Sequence, residues 1–256
     1  MISITFVGHA TVQIEAGGTR LLTDPVLRER IANLRRIVAL PPLDEFLEPD
    51  AVLISHAHFD HLDPPSLRLL RRCPVVAPRG CRRTLRRAGL REVIEAVPGQ
   101  PVRIGSTDVT AVRVPHNGRR HPFSLARDTF AYIVDGPGRT FFAGDTDLFE
   151  ELGELAGGID AALLPIWGWG PRVGRGHMDP ERAARAVALL APSVAIPVHW
   201  GTLASKRAPW LDDPERPARA FVDRVAALVP RAEVRVLAPG GRTEVVHAAA
   251  GDSDPE

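Results

Sequence analysis

Cysteine is nearly missing from this chain: Cys73 and Cys81 are the only two in 256 residues. Two thiols over that length do not build the disulfide framework of a small secreted domain, so they read as reduced side chains. Lysine is scarcer, with Lys206 alone and arginine carrying the rest of the basic charge, a compositional background that names no partner. No apolar run approaches the length that crosses a bilayer, and Met1-Ile2-Ser3-Ile4-Thr5-Phe6 lacks a basic stretch followed by an apolar core. The expectation is therefore a cytoplasmic chain with neither a membrane segment nor a signal peptide. A large excess of one charge is also absent: a net charge of +1 with 25% charged residues gives no general pull toward nucleic acid, anionic membrane or acidic partners.

What is present is apolar residues, 45% of the chain, enough for one large α/β domain or two small ones. Alternation in Ile2 to Val7 and Val12 to Ile14, then Gly17-Gly18 and Arg20 to Thr23, predicts a small β-meander. After a loop around Pro41-Pro42, Ala51 to Ser55 reads as a buried strand, with Asp63 capping a helix whose first residue is Pro64. Val75 to Ala77 and Val93 to Val97 read as strands flanking a helix over Cys81 to Ala88 that Gly89 stops. A second run of mostly antiparallel strands is expected at Val102 to Ile104, Val109 to Val114, Thr129 to Val134 and Thr140 to Ala143, with a turn at Gly136-Pro137-Gly138. Helix Leu148 to Leu155, strand Ala161 to Pro165, helix Pro180 to Leu190 capped by Asp179, and strand Val194 to Val198 follow. A helix from Pro214 to Leu228 capped by Asp213, and strands near Val234 to Leu237 and Thr243 to Val246, complete the order. Meander followed by βα units occurs twice, which predicts two sheets face to face with helices outside.

The chemistry concentrates in His56-Ala57-His58-Phe59-Asp60-His61. In an extended segment residues two apart point the same way, so His56 and His58 can place two imidazoles on one ion, and Asp60 and His61 can serve a second beside it. Neutral imidazole and carboxylate suit zinc, and also manganese or iron. His116, Asp145 and His199 each follow the C-terminal end of a predicted strand, the edge where sheet enzymes bind ligands. Any one of them alone reads better as a satisfied polar residue; seven groups in this arrangement read as two metal sites.

The His-x-His-x-Asp-His run resembles the motif of the metallo-β-lactamase-fold hydrolases. Gly8-His9-Ala10-Thr11, Leu22-Thr23-Asp24-Pro25, Leu53-Ile54-Ser55-His56, Ala143-Gly144-Asp145-Thr146, Leu164-Pro165-Ile166, His177-Met178-Asp179-Pro180 and His199-Trp200-Gly201-Thr202 resemble one subgroup, which includes bacterial ascorbate-phosphate lactonases and the N-acylphosphatidylethanolamine-hydrolysing phospholipase D. The resemblance implies an α/β fold, an αββα sandwich of two mixed β-sheets flanked by helices, in one domain over residues 1–248 with a flexible tail at 249–256. It also implies His56, His58 and His116 on a first divalent ion, Asp60, His61 and His199 on a second, and Asp145 on both.

Two such ions lower the pKa of a water and stabilise a developing oxyanion, so no nucleophilic side chain is needed, and Asp60 or Asp145 can accept the proton. His177 is placed by the resemblance beside the site, to contact substrate or protonate the leaving group; a loop histidine without a role is the alternative. Asp24 either accepts a hydrogen bond from a ligand histidine or shapes a turn. His9 and Trp200 match the motifs without a derivable role, and His121 and His247 read as surface or structural. Asn117 to Arg120 and Ile166 to Arg172 suit a polar or phosphorylated substrate against an aromatic wall, or form rigid surface loops. The nine arginines from Arg68 to Arg91 read as a solvated helix face.

The expected function is hydrolysis of a phosphodiester, phosphate-bearing or lactone small molecule, with homo-oligomerisation left open. A nuclease is the alternative, but no basic arm or insertion is visible and no nucleic-acid partner is expected. A non-hydrolytic metal or redox protein, as in flavodiiron relatives of the fold, usually carries a carboxylate at the position of His58 and a fused flavin domain. True β-lactamases are secreted.

Overall fold

A computed structural model describes residues 1–70, 73–120, 128–170, 172–205 and 212–247. The chain opens with β1 (Ile2–Gly8), β2 (Thr11–Ala16) and β3 (Thr19–Thr23), a meander as the alternation requires. Next come β4 (Arg30–Ile31), β5 (Leu34–Arg36), β6 (Ala51–Leu53), α1 (Pro64–Leu67), β7 (Val75–Ala77), α2 (Arg82–Arg87) and β8 (Val93–Glu95). The second half holds β9 (Pro101–Ile104), β10 (Thr107–Arg113), β11 (Phe130–Asp135), β12 (Arg139–Phe142), β13 (Ala161–Pro165), α3 (Pro180–Leu190), β14 (Val194–Val198), β15 (Leu203–Ala204), α4 (Arg216–Leu228), β16 (Glu233–Val234) and β17 (Arg242–Val245).

Two seven-stranded sheets form, in the orders β17-β1-β2-β3-β6-β7-β8 and β16-β14-β13-β12-β11-β10-β9, with a small sheet β15-β5-β4 beside them. Each large sheet is antiparallel over its meander and parallel over its βα half: β3 pairs β6 in parallel, and β12 pairs β13 in parallel. Both are thus mixed, as expected.

Strand alternation sorts the side chains into layers. Ile2, Ile4, Phe6, Leu53 and Val76 from the first sheet meet Phe130, Tyr132, Leu163 and Ile196 from the second in one central core. Val52, Ile54 and Val75, one residue out of phase, face outward against Leu67 of α1 and Leu85 of α2. Ala162, Leu164 and Ala195 face outward against Ala183 and Val187 of α3 and Phe221 of α4. Each large apolar side chain fully removed from water contributes about 1.5–3 kcal/mol, so the layer order follows directly from the pattern. The fold is an αββα sandwich. Tyr132 carries the one polar tip in that central layer of aromatics, and its Oη donates to the Ile54 carbonyl at 2.8 Å.

Some local expectations need correction. Leu148 to Leu155 is not an α-helix: only Glu150–Leu155 turns, as a 3-10 helix with no side-chain cap and with Gly153 inside it. Asp213 does not cap α4, which starts at Arg216 after Glu215. Starting at Pro214 would have put Pro217 at the fourth position, where its missing N–H and its ring break the first helical bond; the observed start keeps Pro217 in the first turn. Asp213 pairs with Arg219 instead. The strand expected over Val234 to Leu237 shrinks to β16, and the small sheet was not foreseen, because strands of two or three residues leave no periodic pattern. Asp63 does cap α1, accepting from the Ser66 N–H at 3.1 Å, and Asp179 caps α3. Cys73 and Cys81 are both buried and are not joined in a disulfide. Arg71, Arg72, His121, Pro171, Lys206 and the expected tail at 249–256 lie outside the described residues. Among the described residues, no helix is long and apolar enough to cross a membrane.

Candidate metal centre

Five strand ends deliver the cluster. β6 stops at Leu53, and the chain then curls through His56 to His61, with Leu62 N–H bonding back to the His58 carbonyl at 2.8 Å. Arg120 clamps that curl from outside, donating to the carbonyls of Ala57 (2.7 Å) and Leu62 (2.9 Å), with its guanidinium over the Phe59 ring. The Arg120 side chain is thus occupied in holding the motif loop. His116 follows β10, Asp145 follows β12, His199 follows β14 and His9 follows β1. Three of these exits pass through left-handed backbone: His9 at φ 58°, Gly144 at φ 60° and His199 at φ 61°. At Gly144 a Cβ would meet Ser55 Cβ at 2.7 Å, so only glycine lets β12 pass the motif strand there.

The donor atoms gather in two adjoining groups, each spaced to hold a metal ion: His56, His58, His116 and Asp145, and His9, Asp60, His61 and His199. In the first, His56 Nε2 is 2.8 Å from His58 Nδ1, which is 3.3 Å from His116 Nε2. In the second, His61 Nε2 is 3.2 Å from His199 Nε2. Asp145 lies between the groups, its Oδ2 3.7 Å from His56 Nε2 and 3.1 Å from His61 Nε2, and its Oδ1 3.2 Å from His199 Nε2.

The far side of each ring shows how the near nitrogens are aimed. His116 Nδ1 meets the Gly176 carbonyl at 2.7 Å and His199 Nδ1 the Trp167 carbonyl at 3.2 Å. A carbonyl only accepts, so Nδ1 carries the proton and Nε2 turns its lone pair into the cluster. His61 Nδ1 lies 2.7 Å from Asp24 Oδ2, and His56 Nδ1 2.9 Å from Ser55 Oγ, which itself donates to Asp24 Oδ2 at 2.5 Å. The Ser55 N–H donates to Asp24 Oδ1 at 2.7 Å. Asp24 therefore orients two rings at once. It forms a third compact group with His56 and His61, but both its oxygens are already taken by these donors.

The set fits a cation. Asp145 Oδ1 is buried and makes no hydrogen bond although His199 Nε2 is near, a costly state for a carboxylate oxygen unless an ion faces it. Burial pushes His56 well below the ordinary imidazole range, with His61 adding to it, and burial brings His116 to about 4 and His9 to about 3. Burial also acts to lower His61, but Asp145, Asp60 and Asp24 together outweigh it and hold that ring well above. Asp60 and Asp145 are pushed up by burial and pulled down further by their imidazoles, so both stay ionised. A cation bound here would displace the His61 proton.

His177 sits at the mouth, its Nε2 3.1 Å from Asp145 Oδ2 and its side chain 22% exposed. Burial lowers its pKa, and Asp145 more than reverses this. Beside it a recess of about 140 Å³ is lined by Trp167, Trp169, Arg172, His177 and His199. Gly168 and Gly174 border it, where a Cβ would lie in ordinary contact with the His199 or His177 ring. His247 lies apart, paired with Asp160. Trp200 stacks on Phe6 and is structural. Sequence reasoning gave no role to His9, whose Nε2 is 3.0 Å from Asp60 Oδ2, nor to the Ser55 hydroxyl. Only the Gly8-His9 motif match pointed toward the first.

A family profile described as beta-lactamase superfamily domain matches residues 19–200. A UPF0173 metal-dependent hydrolase of Aeropyrum pernix is 32% identical over 260 residues, covering 94% of this chain and 96% of that protein. The chain belongs to the metallo-β-lactamase superfamily. Within it, the chain falls in the UPF0173 family and is a metal-dependent hydrolase. Among solved structures of the superfamily fold, Igni18, a metallo hydrolase from Ignicoccus hospitalis, aligns with a TM-score of 0.71 at 23% identity, over 94% of this chain and 97% of that one. CmlA, a diiron β-hydroxylase from Streptomyces venezuelae, aligns at 0.69 and 20% identity, over 96% of this chain and 54% of its own. Both likenesses speak to the fold.

Proposed function

We propose that residues 1–248 form one hydrolase domain that acts on a phosphodiester, phosphate-bearing or lactone small molecule with two divalent ions, zinc before manganese or iron. His56, His58 and His116 hold the first ion, Asp60, His61 and His199 the second, and Asp145 both. The observation that carries this reading is the orientation of the rings: His56, His61, His116 and His199 each give one nitrogen to an oxygen outside the cluster and turn the other inward. When bound, such a pair supplies a Lewis acid and brings the pKa of water toward neutrality.

The chain's own residues do the rest. Asp60 and Asp145, ionised in the fold, can accept the proton that water gives up. His177, at the open edge, contacts the substrate or hands a proton to the leaving group. The Trp167 and Trp169 recess with Arg172 at its rim suits a substrate that joins an apolar face to an anionic group. The choice of phosphate ester or lactone rests on the resemblance to ascorbate-phosphate lactonases and the phospholipase D.

The test is purification without chelator, metal quantification, and assays with and without chelation on bis-p-nitrophenyl phosphate, p-nitrophenyl phosphate and simple lactones. Two ions per chain with chelator-sensitive cleavage of one class is expected. No metal after reconstitution overturns the ligand assignment; metal without cleavage of any of these overturns the substrate class.

A further inference from the structure

His9 enters the cluster from β1, a strand that supplies no other donor. It is 1% exposed and held at φ 58°, where a non-glycine residue costs about 1–2 kcal/mol. Its N–H donates to Thr202 Oγ1 at 2.9 Å, and its carbonyl accepts the His199 N–H at 2.8 Å. A Cβ on Gly8 would come within 2.7 Å of Arg36 Nη1 and 2.8 Å of Thr202 Cγ2, so the close pass of β1 that aims His9 requires glycine. Strain retained at a buried polar residue points to a use for it. What the strain achieves is the 3.0 Å contact of His9 Nε2 with Asp60 Oδ2.

Two uses fit that contact: a further ligand to the second ion, or a donor to Asp60. Ring placement favours the second. His9 overlies His199 with centroids 3.9 Å apart and planes at 37°. Rings that share one ion in the proposed ligand sets stand farther apart: 4.4 Å for His56 and His58, 4.8 Å for His56 and His116, and 5.1 Å for His61 and His199. His9 thus lies across the face of the His199 ring, with its Nε2 turned to Asp60 Oδ2.

We propose that His9 is a positioning residue whose Nε2–H donates to Asp60 Oδ2 and fixes that carboxylate as a donor to the second ion. The assignment rests on the two-ion reading above. Outer partners of this kind typically control metal affinity by about ten- to a hundredfold.

The experiment is chelator competition on wild type, His9→Gly and His9→Gln, with thermal melts of each metal-free protein. Glycine removes the donor and relieves the left-handed backbone, so a loss cannot come from added strain. Glutamine returns an N–H at similar reach. Expected is a wild type that holds two ions, a His9→Gly protein that keeps one and binds the other about ten- to a hundredfold more weakly, and recovery of most of that loss in His9→Gln. Two ions at wild-type affinity in His9→Gly overturn the assignment, as does a His9→Gln protein no better than His9→Gly. If His9→Gly fails to fold, His9→Asn, which tolerates the same backbone but falls short of Asp60, takes its place. A wild type that holds fewer than two ions overturns the two-ion reading itself, a distinguishable result that takes this assignment with it.

Discussion

Replacing Asp24 by asparagine separates orientation of the histidines from mere shaping of the turn. Asp24 is fully buried and accepts from Ser55 N–H at 2.7 Å, Ser55 Oγ at 2.5 Å and His61 Nδ1 at 2.7 Å. It sits at φ 34°, a left-handed conformation that asparagine tolerates as well as aspartate, so the backbone is spared. The amide has one acceptor oxygen where the carboxylate has two. If its NH2 faces the Ser55 N–H, two donors oppose each other; if it faces Ser55 Oγ and His61, the imidazole loses its acceptor. Either way a buried donor is left unpaired, at about 1–3 kcal/mol of stability. With His61 free to change tautomer, metal affinity should fall about ten- to a hundredfold, or about 1.4–2.8 kcal/mol. Competition against a chromogenic chelator reads the affinity, and melts of the metal-free protein read the stability. A lower melting temperature with unchanged affinity would refute the reasoning and leave Asp24 as a turn residue only.

His177→Ala should retain both ions and lose about 10²–10⁴ in turnover, the range for a positioned proton donor; unchanged turnover removes it from the chemistry. Gly144→Ala should cost at least about 1 kcal/mol for its left-handed backbone alone, and should also weaken metal binding, because the new Cβ pushes Asp145 away from Ser55; a protein with wild-type melting and metal content would contradict the tight pass seen there. Burial pushes the Cys73 thiol up to about 11, so at pH 8 almost none of it is thiolate. A disulfide-exchange reagent should therefore label Cys73 only after denaturation, with reactivity in the folded state rising with pH; rapid labelling of the native protein would show that the site opens.

The sandwich was legible because its strands are long enough to alternate: Ile2, Ile4 and Phe6 announce an inward face, and the run around Leu53 a strand buried on both sides. Asp63 and Asp179 could be read as caps because a proline follows each directly. Asp213 looked alike, yet Pro217, close behind Pro214, decided where α4 begins. In the site, His56 to His61 stand out as a contiguous run, and His116, Asp145 and His199 follow recognisable strands. His9 has no such signal. Its meaning lies in a contact 51 residues away in sequence, and that contact depends on a backbone angle which residue type alone does not predict. The Ser55 relay was hidden for the same reason, since a serine beside a histidine is unremarked until Asp24 is brought under it.

The proposed donors straddle the sandwich: His56 to His61 hang from the first sheet, while His116, Asp145 and His199 hang from the second. During synthesis the first four emerge well before the last three, at a stage when the chain offers any passing cation only an incomplete, solvent-washed set. With the proposed ligand set, full coordination would wait until β14 has been made and the two sheets have docked. Loading of such a site would then be tied to completion of the fold, with capture by the nascent motif alone weak and reversible. An ion held by that set would be a bolt across the layers, tightening the finished protein with the logarithm of the free metal around it.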